Sequence, residues 1–159
     1  MASQRGVWDV AHSFCTIYIH VIFSTKERQR WLDDTIRGRV HAYMATLLRD
    51  AGCPFAVVGG PDDHVHFLAD IGKKILPVDM IAKVKQDSSK FIKTLGSEYY
   101  DFYWQAGYGM FSVGPTHVDE VRAYIVGQVE HHRKQTFQEE FRAFLVRYGI
   151  HYDERYVWG

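Results

Sequence analysis

The sequence predicts an α+β domain built on a four-stranded antiparallel sheet, and three observations lead to this prediction. Stretches dense in β-branched and aromatic residues, typical of strands, occupy residues 13–24 and 64–71. Apolar residues spaced three and four apart, typical of amphipathic helices, follow each stretch. The elements therefore run in the order β-α-β-β-α-β, with two further helices at the C-terminal end. This order is typical of a ferredoxin-like (split β-α-β) antiparallel sheet with helices packed on it.

The first helix and the hairpin after it are marked by their boundary residues. Asp33 or Asp34 can cap a helix that runs to about Asp50. The Gly-Cys-Pro sequence at residues 52–54 then breaks that helix. A turn signal follows between two strand-like stretches, so residues 55–71 are predicted to form a β-hairpin.

The second long helix is predicted to begin at Pro77 and to end near Leu95, before Gly96. A strand over about residues 110–113 is predicted after it. Two helices follow. The first spans about 117–134, with a capping box of Thr116 and Asp119, and the second spans about 137–148, with a capping box of Thr136 and Glu139. The last two helices complete the predicted layer of C-terminal helices.

Length and composition indicate one folded domain. With 159 residues and 47% hydrophobic side chains, the chain is long enough to bury a core. We treat residues 1–159 as one domain, with a core over about 12–134 and a C-terminal helix and tail over 135–159. The two cysteines do not suggest a disulfide framework, and no stretch has the roughly 18 apolar residues of a membrane span. We therefore expect a soluble cytoplasmic protein.

The charge is balanced overall but basic in one segment. The sequence has 19 basic and 19 acidic residues, whereas a protein that coats DNA is usually basic. Residues 71–97 nevertheless hold six lysines against two aspartates. Such a patch can bind a phosphate backbone, although charge alone more often marks a solvated helix face.

Two histidines open the predicted strand over residues 64–71. Residues two apart on a strand point to the same face of a sheet. The imidazoles of His64 and His66 are therefore expected side by side, while Val65 points into the core. Such a pair can hold a metal that accepts nitrogen and oxygen ligands. The pattern is short enough to occur by chance, so alone it leaves a structural role open.

A second polar group lies on the predicted helix over 117–134 and consists of Tyr124, Gln128, His131 and His132. Tyr124 and Gln128 are four residues apart, as are Gln128 and His132, so each pair shares a helix face. Tyr124 lies to one side of the apolar stripe, where it can face a site. An amphipathic tyrosine with its hydroxyl in water is the simpler alternative.

Together these residue types suit the cleavage of a phosphodiester. A metal held by His64 and His66 would neutralise the phosphate oxygens, and Gln128 could supply a third, neutral oxygen ligand. A phenol with a pKa of about 10 is mostly protonated at neutral pH, so a nearby metal or base would help to activate Tyr124. Attack would give a covalent phosphotyrosine that keeps the bond energy for rejoining.

Four segments, taken in order, carry a family resemblance. They are HVIFSTK at residues 20–26, HVHFL at 64–68, WQ, GYG and FSV within 104–113, and YIVGQ at 124–128 continuing to two histidines at 131–132. In this order and spacing they resemble the insertion-sequence transposases of the HUH single-tyrosine class. The resemblance covers most of the chain, from about residue 12 to residue 132, and it implies a DNA transposase.

The resemblance also implies a role for each matching residue. Tyr124 would be the nucleophile, which becomes joined to the 5′ phosphate and leaves a free 3′-OH. His64, His66 and Gln128 would hold Mg²⁺ or Mn²⁺, and the C-terminal helices would carry the catalytic tyrosine. The expected partner is single-stranded DNA with hairpins. The family further implies a homodimer with active sites shared between subunits, in a bacterial or archaeal cytoplasm.

Basic and aromatic side chains are candidates for holding that DNA. The basic candidates for backbone contacts are Lys26, Arg28, Arg30, Lys83, Lys85 and Lys90. Trp31, Trp104 and Tyr108 could stack on unpaired bases, although core packing is the stronger expectation for Trp104.

Three alternative functions remain open on the sequence. A host-adopted nuclease acting on repeat hairpins would use the same residues. A non-catalytic nucleic-acid-binding module could use a ferredoxin-like sheet to stack bases, but the aromatic signature of such modules is not evident in the predicted strands. A metal enzyme acting on small molecules would lack support, because the sequence has no phosphate loop or dinucleotide motif.

Overall fold

The computed structural model describes residues 13–132 and 134–159, so the stretch up to His12 and the side chain of His131 lie outside the described residues. In chain order the elements are β1 (Tyr18–Ser24), α1 (Arg37–Asp50), β2 (Phe55–Gly59), β3 (His64–Asp70), α2 (Pro77–Lys93), β4 (Gly109–Val113), α3 (Val118–Val126), α4 (Gln128–His131) and α5 (Phe137–Arg147). The predicted order is confirmed. Within the described part of the chain, no helix is long and apolar enough to cross a membrane.

The four strands form one antiparallel sheet in the order β2-β3-β1-β4. The two central strands are therefore β3 and β1, which come from the two halves of the chain's β-α-β-β-α-β order. Their register sets Ser24 opposite His64 and Ile22 opposite His66. The predicted α+β fold with a split β-α-β sheet is confirmed, and it places both histidines of β3 in the middle of the sheet.

The two faces of the sheet carry different residues because side chains alternate along each strand. One face packs against α1 and α2 and forms the larger core, with Val21, Phe23, Val65 and Phe67 fully buried. The opposite face is covered by the C-terminal helices. Its central-strand residues are His20, Ile22, His64, His66 and Leu68. Polar and apolar residues are thus buried together on this second face.

The helix predicted over 117–134 is instead two helices, α3 and α4, separated at Gly127. Glycine has a low helix propensity because it loses the most backbone freedom on folding. The predicted capping box is also wrong, since no side chain caps the start of α3. The chain there enters α3 through a 3-10 turn, Pro115–His117. The consequence is that Tyr124 and Gln128 lie on different helices.

The capping box that begins α5 is confirmed. The Thr136 side chain accepts from the backbone N–H of Glu139, whose carboxylate accepts from the backbone N–H of Thr136. Within α5, Phe137 and Phe141 pack against Ile22 and Phe111 of the sheet. In the C-terminal tail, Trp158 packs beside the same two phenylalanines. The tail therefore folds onto helix α5 of its own chain.

Close backbone contact joins β2 to α3. A Cβ at Gly59 would overlap the backbone carbonyl oxygen of Ile125. We expect Gly59→Ala to lower the free energy of unfolding by about 1–3 kcal/mol, because the two elements must separate. Gly38→Ala is the matched control: nothing lies within 4 Å of its Cβ position in α1, so helix propensity should raise stability by up to about 1 kcal/mol. Urea denaturation measures both, and equal shifts would contradict the prediction.

Candidate active site and metal centre

The histidine pair of β3 is fully buried on the sheet face that the C-terminal helices cover. His64 and His66 each have no exposed surface, and their ring centroids lie 5.1 Å apart. Val65, between them, is fully buried in the core on the opposite face. The side-by-side arrangement expected from the alternation along the strand is therefore the observed one.

Two side chains from the C-terminal helices join this pair. His132 follows α4 and Glu140 lies on α5, and one ligand atom from each of the four residues falls within 4.8 Å of the others. Nε2 of His64 lies 3.1 Å from Nε2 of His132. Nε2 of His66 lies 2.8 Å from Oε1 of Glu140. Three imidazoles and one carboxylate thus meet at one buried point.

The outer nitrogens of the three imidazoles each have a hydrogen-bond partner. Nδ1 of His64 lies 2.5 Å from a carboxylate oxygen of Asp63, and Nδ1 of His132 lies 2.7 Å from the carbonyl oxygen of Gln135. Nδ1 of His66 lies 2.9 Å from Nε2 of His20. If each Nδ1–H donates to its acceptor, the lone pair of each Nε2 faces the cluster. This is the arrangement in which protein histidines bind metals.

The electrostatics of the cluster also favour a cation. Burial alone would raise the pKa of Glu140, but the favourable interactions of its carboxylate with the nearby His132, His64 and His66 outweigh it and hold the pKa well below its usual range. Burial lowers the pKa of His66 to about 4, so that imidazole is neutral at pH 7. The pKa of His64 is raised despite its burial, because Asp63 and Glu140 stabilise its charged form. The same two carboxylates would stabilise a metal ion.

Tyr124 reaches the cluster from α3. Its hydroxyl donates a hydrogen bond to Oε2 of Glu140, and its ring centroid lies 5.8 Å from that of His66. Burial, followed by the negative charge of Glu140, raises the pKa of Tyr124 above its ordinary value. The hydroxyl is therefore protonated in this arrangement, and it must lose its proton to act as a nucleophile.

Gln128, at the start of α4, is fully buried behind Tyr124. Its Nε2 donates to the backbone carbonyl oxygen of Tyr124 over 3.2 Å. Its Oε1 is buried and has no hydrogen-bond partner among residues 13–132 and 134–159. A buried carbonyl oxygen left in this way suits a metal ligand, so Gln128 stays a predicted ligand.

The donor set of the cluster fits a divalent metal. Nε2 of His66 is buried and makes no hydrogen bond within the described residues, although Oε1 of Glu140 is only 2.8 Å away. Such a pair lies close together without the angles of a hydrogen bond, as two ligands of one ion do. Imidazole nitrogens with a carboxylate oxygen suit Mn²⁺ and heavier divalent metals, whereas Mg²⁺ prefers oxygen ligands.

The basic loop after β1 starts next to the histidine strand. Lys26 and Arg30 are exposed and Arg28 is half-buried, and the strand that leads into them ends at Ser24, opposite His64. Arg30 also lines a cleft of about 450 Å³ that reaches His132. Arg30 is therefore placed close to the candidate metal centre, and DNA contact by the three basic residues stays a prediction.

The lysines of α2 lie on the other layer of the sheet, away from the histidine face. Lys90 is exposed, and Lys83 is exposed but paired with Asp87 at 2.8 Å. Lys85 is different, because its ammonium group donates to the carbonyl oxygens of three residues before β4: Gln105, Ala106 and Gly107. Burial lowers its pKa to about 8. The ammonium group of Lys85 is thus engaged within the chain in this structure, and its contact with DNA stays a prediction.

The three aromatic candidates take part in internal packing. Trp104 is 9% exposed and donates from Nε1 to the hydroxyl of Ser88 over 3.0 Å, as expected for a core residue. Trp31 and Tyr108 are half-buried against the larger core. Base stacking by these two residues stays a prediction.

Sequence reasoning missed Glu140 altogether, and it singled out His132 on the helix face of Gln128 without assigning it as a metal ligand. A signal for Glu140 is present in the sequence: it lies on the face of α5 marked by Phe137, Phe141 and Phe144. A carboxylate within an apolar stripe is rarely buried unless it has a partner.

The comparisons with known proteins agree with this fold. A family model described as IS200-like transposase matches residues 13–128. A search of curated protein sequences gives no match. One similar solved structure is a candidate transposase of Deinococcus radiodurans R1, with a TM-score of 0.57, 18% identity, and coverage of 79% of this chain and 95% of that one.

A second similar structure is a REP-associated tyrosine transposase bound to a REP hairpin. Its TM-score is 0.50 at 11% identity, over 79% of this chain and 68% of that one. At these identities the two structures show a shared fold and nothing further. The family model spans well over half of the sequence, and it therefore shows the family. The chain belongs to the IS200-like transposases.

Proposed function

We propose that this transposase cleaves and rejoins single-stranded DNA through a covalent 5′-phosphotyrosine on Tyr124. One observation carries the proposal: the hydroxyl of Tyr124 reaches a buried cluster of three histidines and one glutamate. A nucleophile beside a set of metal ligands is what attack on a phosphodiester requires. The Tyr124 oxygen would bond to phosphorus, the bond to the 3′ oxygen would break, and a free 3′-OH would leave.

His64, His66 and His132 would hold the divalent metal, and Gln128 would be a further ligand through its buried Oε1. Bound there, Mn²⁺ or Mg²⁺ would neutralise charge on the phosphate oxygens. Asp63 and His20 would keep their histidines in the tautomer that presents Nε2. Tyr124 would give up its proton before or during attack, and the departing 3′ oxygen would take up a proton to become the 3′-OH.

Single-stranded DNA with hairpins is the proposed substrate. Lys26, Arg28 and Arg30 would hold the backbone near the histidines, and Lys83 and Lys90 would contact a separate part of the DNA, because α2 lies on the other layer. A related structure is bound to a REP hairpin. That likeness favours repeat hairpins as trial substrates, including those on which a host-adopted nuclease would act.

A homodimer remains part of the proposal, but the site need not be shared. Within one chain, the ring of Tyr124 already lies beside the rings of His20 and His66. We therefore propose that each subunit can assemble Tyr124 with its own histidines, and that a second subunit supplies a second site.

A covalent-trapping assay tests this function. Labelled single strands from the DNA that flanks the gene are mixed with the protein and Mn²⁺ or Mg²⁺, then run on a denaturing gel. We expect a labelled band at the mass of the protein, which a chelator removes. Strands that bind the protein without forming such a band, across several flanking hairpins and both metals, would instead indicate a non-catalytic binding module.

A further inference from the structure

Glu140 contacts the three histidines of the cluster and Tyr124. Its Oε1 lies 2.8 Å from Nε2 of His66 and 3.6 Å from Nε2 of His64. Its Oε2 lies 2.9 Å from Nε2 of His132 and accepts a hydrogen bond from the hydroxyl of Tyr124. The residue is 2% exposed. One carboxylate thus links the metal ligands to the nucleophile.

A DNA phosphate about to be attacked needs the same two contacts. One of its oxygens must approach the histidine nitrogens, where the metal would be held, and its phosphorus must come within about 3–3.5 Å of the tyrosine oxygen. A carboxylate and a phosphate are both anions with oxygens that accept hydrogen bonds. The Glu140 carboxylate and the scissile phosphate therefore compete for one place between Tyr124 and the histidines.

We propose that Glu140 is a ligand of the metal in the resting protein and that it yields its place to the scissile phosphate. This inference rests on the function proposed above. Before DNA binds, Glu140 would tighten metal binding and hold the Tyr124 hydroxyl. When a phosphate enters, Glu140 would leave and the Tyr124 oxygen would face phosphorus instead.

The structure offers room for this movement. A cleft of about 340 Å³ between α3 and α5 is lined by Tyr124 and Glu140, and its charged lining residues also include Arg147 and Glu120. A rotated Glu140 side chain would enter this cleft, and Arg147 could partly compensate its charge. The capping box at Thr136 can then stay intact, because the carboxylate moves without unwinding α5.

Direct metal titration tests the first half of the inference. We expect Glu140→Ala and Glu140→Gln to weaken Mn²⁺ binding about tenfold or more, as followed by the electron paramagnetic resonance signal of free Mn²⁺. Glu139→Gln is the matched control. It lies next to Glu140 on α5 but is exposed, and glutamine can still form its capping box. Unchanged Mn²⁺ affinity in folded Glu140 variants would show that Glu140 is not a ligand.

Access of a phosphodiester tests the second half, with diethyl phosphate as the probe. At saturating Mn²⁺, the metal should shorten the ³¹P relaxation time of the probe severalfold more in Glu140→Ala than in the unmodified protein. No gain would show that Glu140 does not occupy the place of the phosphate. Glu140→Asp covers the case in which the other variants unfold, since it keeps the charge but shortens the side chain by one methylene. It should also weaken Mn²⁺ binding and increase the access of diethyl phosphate.

These measurements separate the two proposals. Loss of Mn²⁺ affinity and gain of phosphate access, without any covalent product from the unmodified protein or the variants, would refute the tyrosine nuclease function and leave the ligand role of Glu140 standing. A covalent product with unchanged Mn²⁺ affinity in the variants would support the tyrosine nuclease function and refute the ligand role of Glu140.

Discussion

Tyr124→Phe is expected to abolish the covalent protein–DNA product, with a loss of more than about a thousandfold in rate, because it removes the attacking oxygen. The phenylalanine ring keeps the packing of α3 against the sheet. The lost hydrogen bond to Glu140 should cost about 1–2 kcal/mol of stability. Trapping on labelled single strands measures the product, and thermal unfolding shows that the variant is folded.

Tyr156→Phe is the matched control, since this tyrosine is 73% exposed in the tail and its loss should leave trapping unchanged. A persistent covalent band in folded Tyr124→Phe would assign the nucleophile to another residue. An equimolar mixture of Tyr124→Phe and His66→Ala then decides between sites built within one chain and sites shared between subunits. Because Tyr124 lies beside its own His66, we expect no product from the mixture.

His66→Ala is expected to weaken Mn²⁺ binding by about a hundredfold and to remove the covalent product at moderate metal concentrations. Its Nε2 lies at the centre of the cluster, 2.8 Å from Glu140, and it is neutral at pH 7, so no proton competes with the metal there. His64→Ala should behave in the same way. Isothermal titration with Mn²⁺ and trapping over a range of Mn²⁺ concentrations give the two readouts.

His151→Ala supplies the control for these histidines, because His151 is exposed in the tail. Equal Mn²⁺ affinity in His66→Ala and His151→Ala would refute the metal site. His20→Ala gives a graded check. This variant keeps the three Nε2 atoms that face the cluster but removes the hydrogen-bond partner of Nδ1 of His66. Metal binding should therefore weaken less than in His66→Ala.

Local patterns in the sequence were enough to predict the sheet and the histidine strand. The alternation along β3 placed His64 and His66 on one face and Val65 in the core, since this depends only on neighbouring residues. The continuous helix over 117–134 was wrong, because helical periodicity carried across Gly127. Helix boundaries depend on small differences in free energy that a spacing pattern does not measure.

The position of Glu140 could not be predicted in the same way. It depends on where α5 packs, and α5 is placed by contacts of Phe137 and Phe141 with Ile22 and Phe111, far away in sequence. Only this packing brings Glu140 to the histidines. The charged residue on an apolar helix face was the available signal, but it identified neither the partner nor the chemistry.

We expect the layers on the two faces of the sheet to differ in their resistance to opening. The layer of α1 and α2 closes over the larger core, whereas α5 is held by the smaller cluster around Ile22, Phe111 and Phe141. Amide hydrogens of α5 can therefore exchange with solvent through a partial opening that leaves β1 and β3 protected. We expect His64 and His66, on the central strand β3, to keep their positions during such an opening, whereas Glu140 would move away with α5.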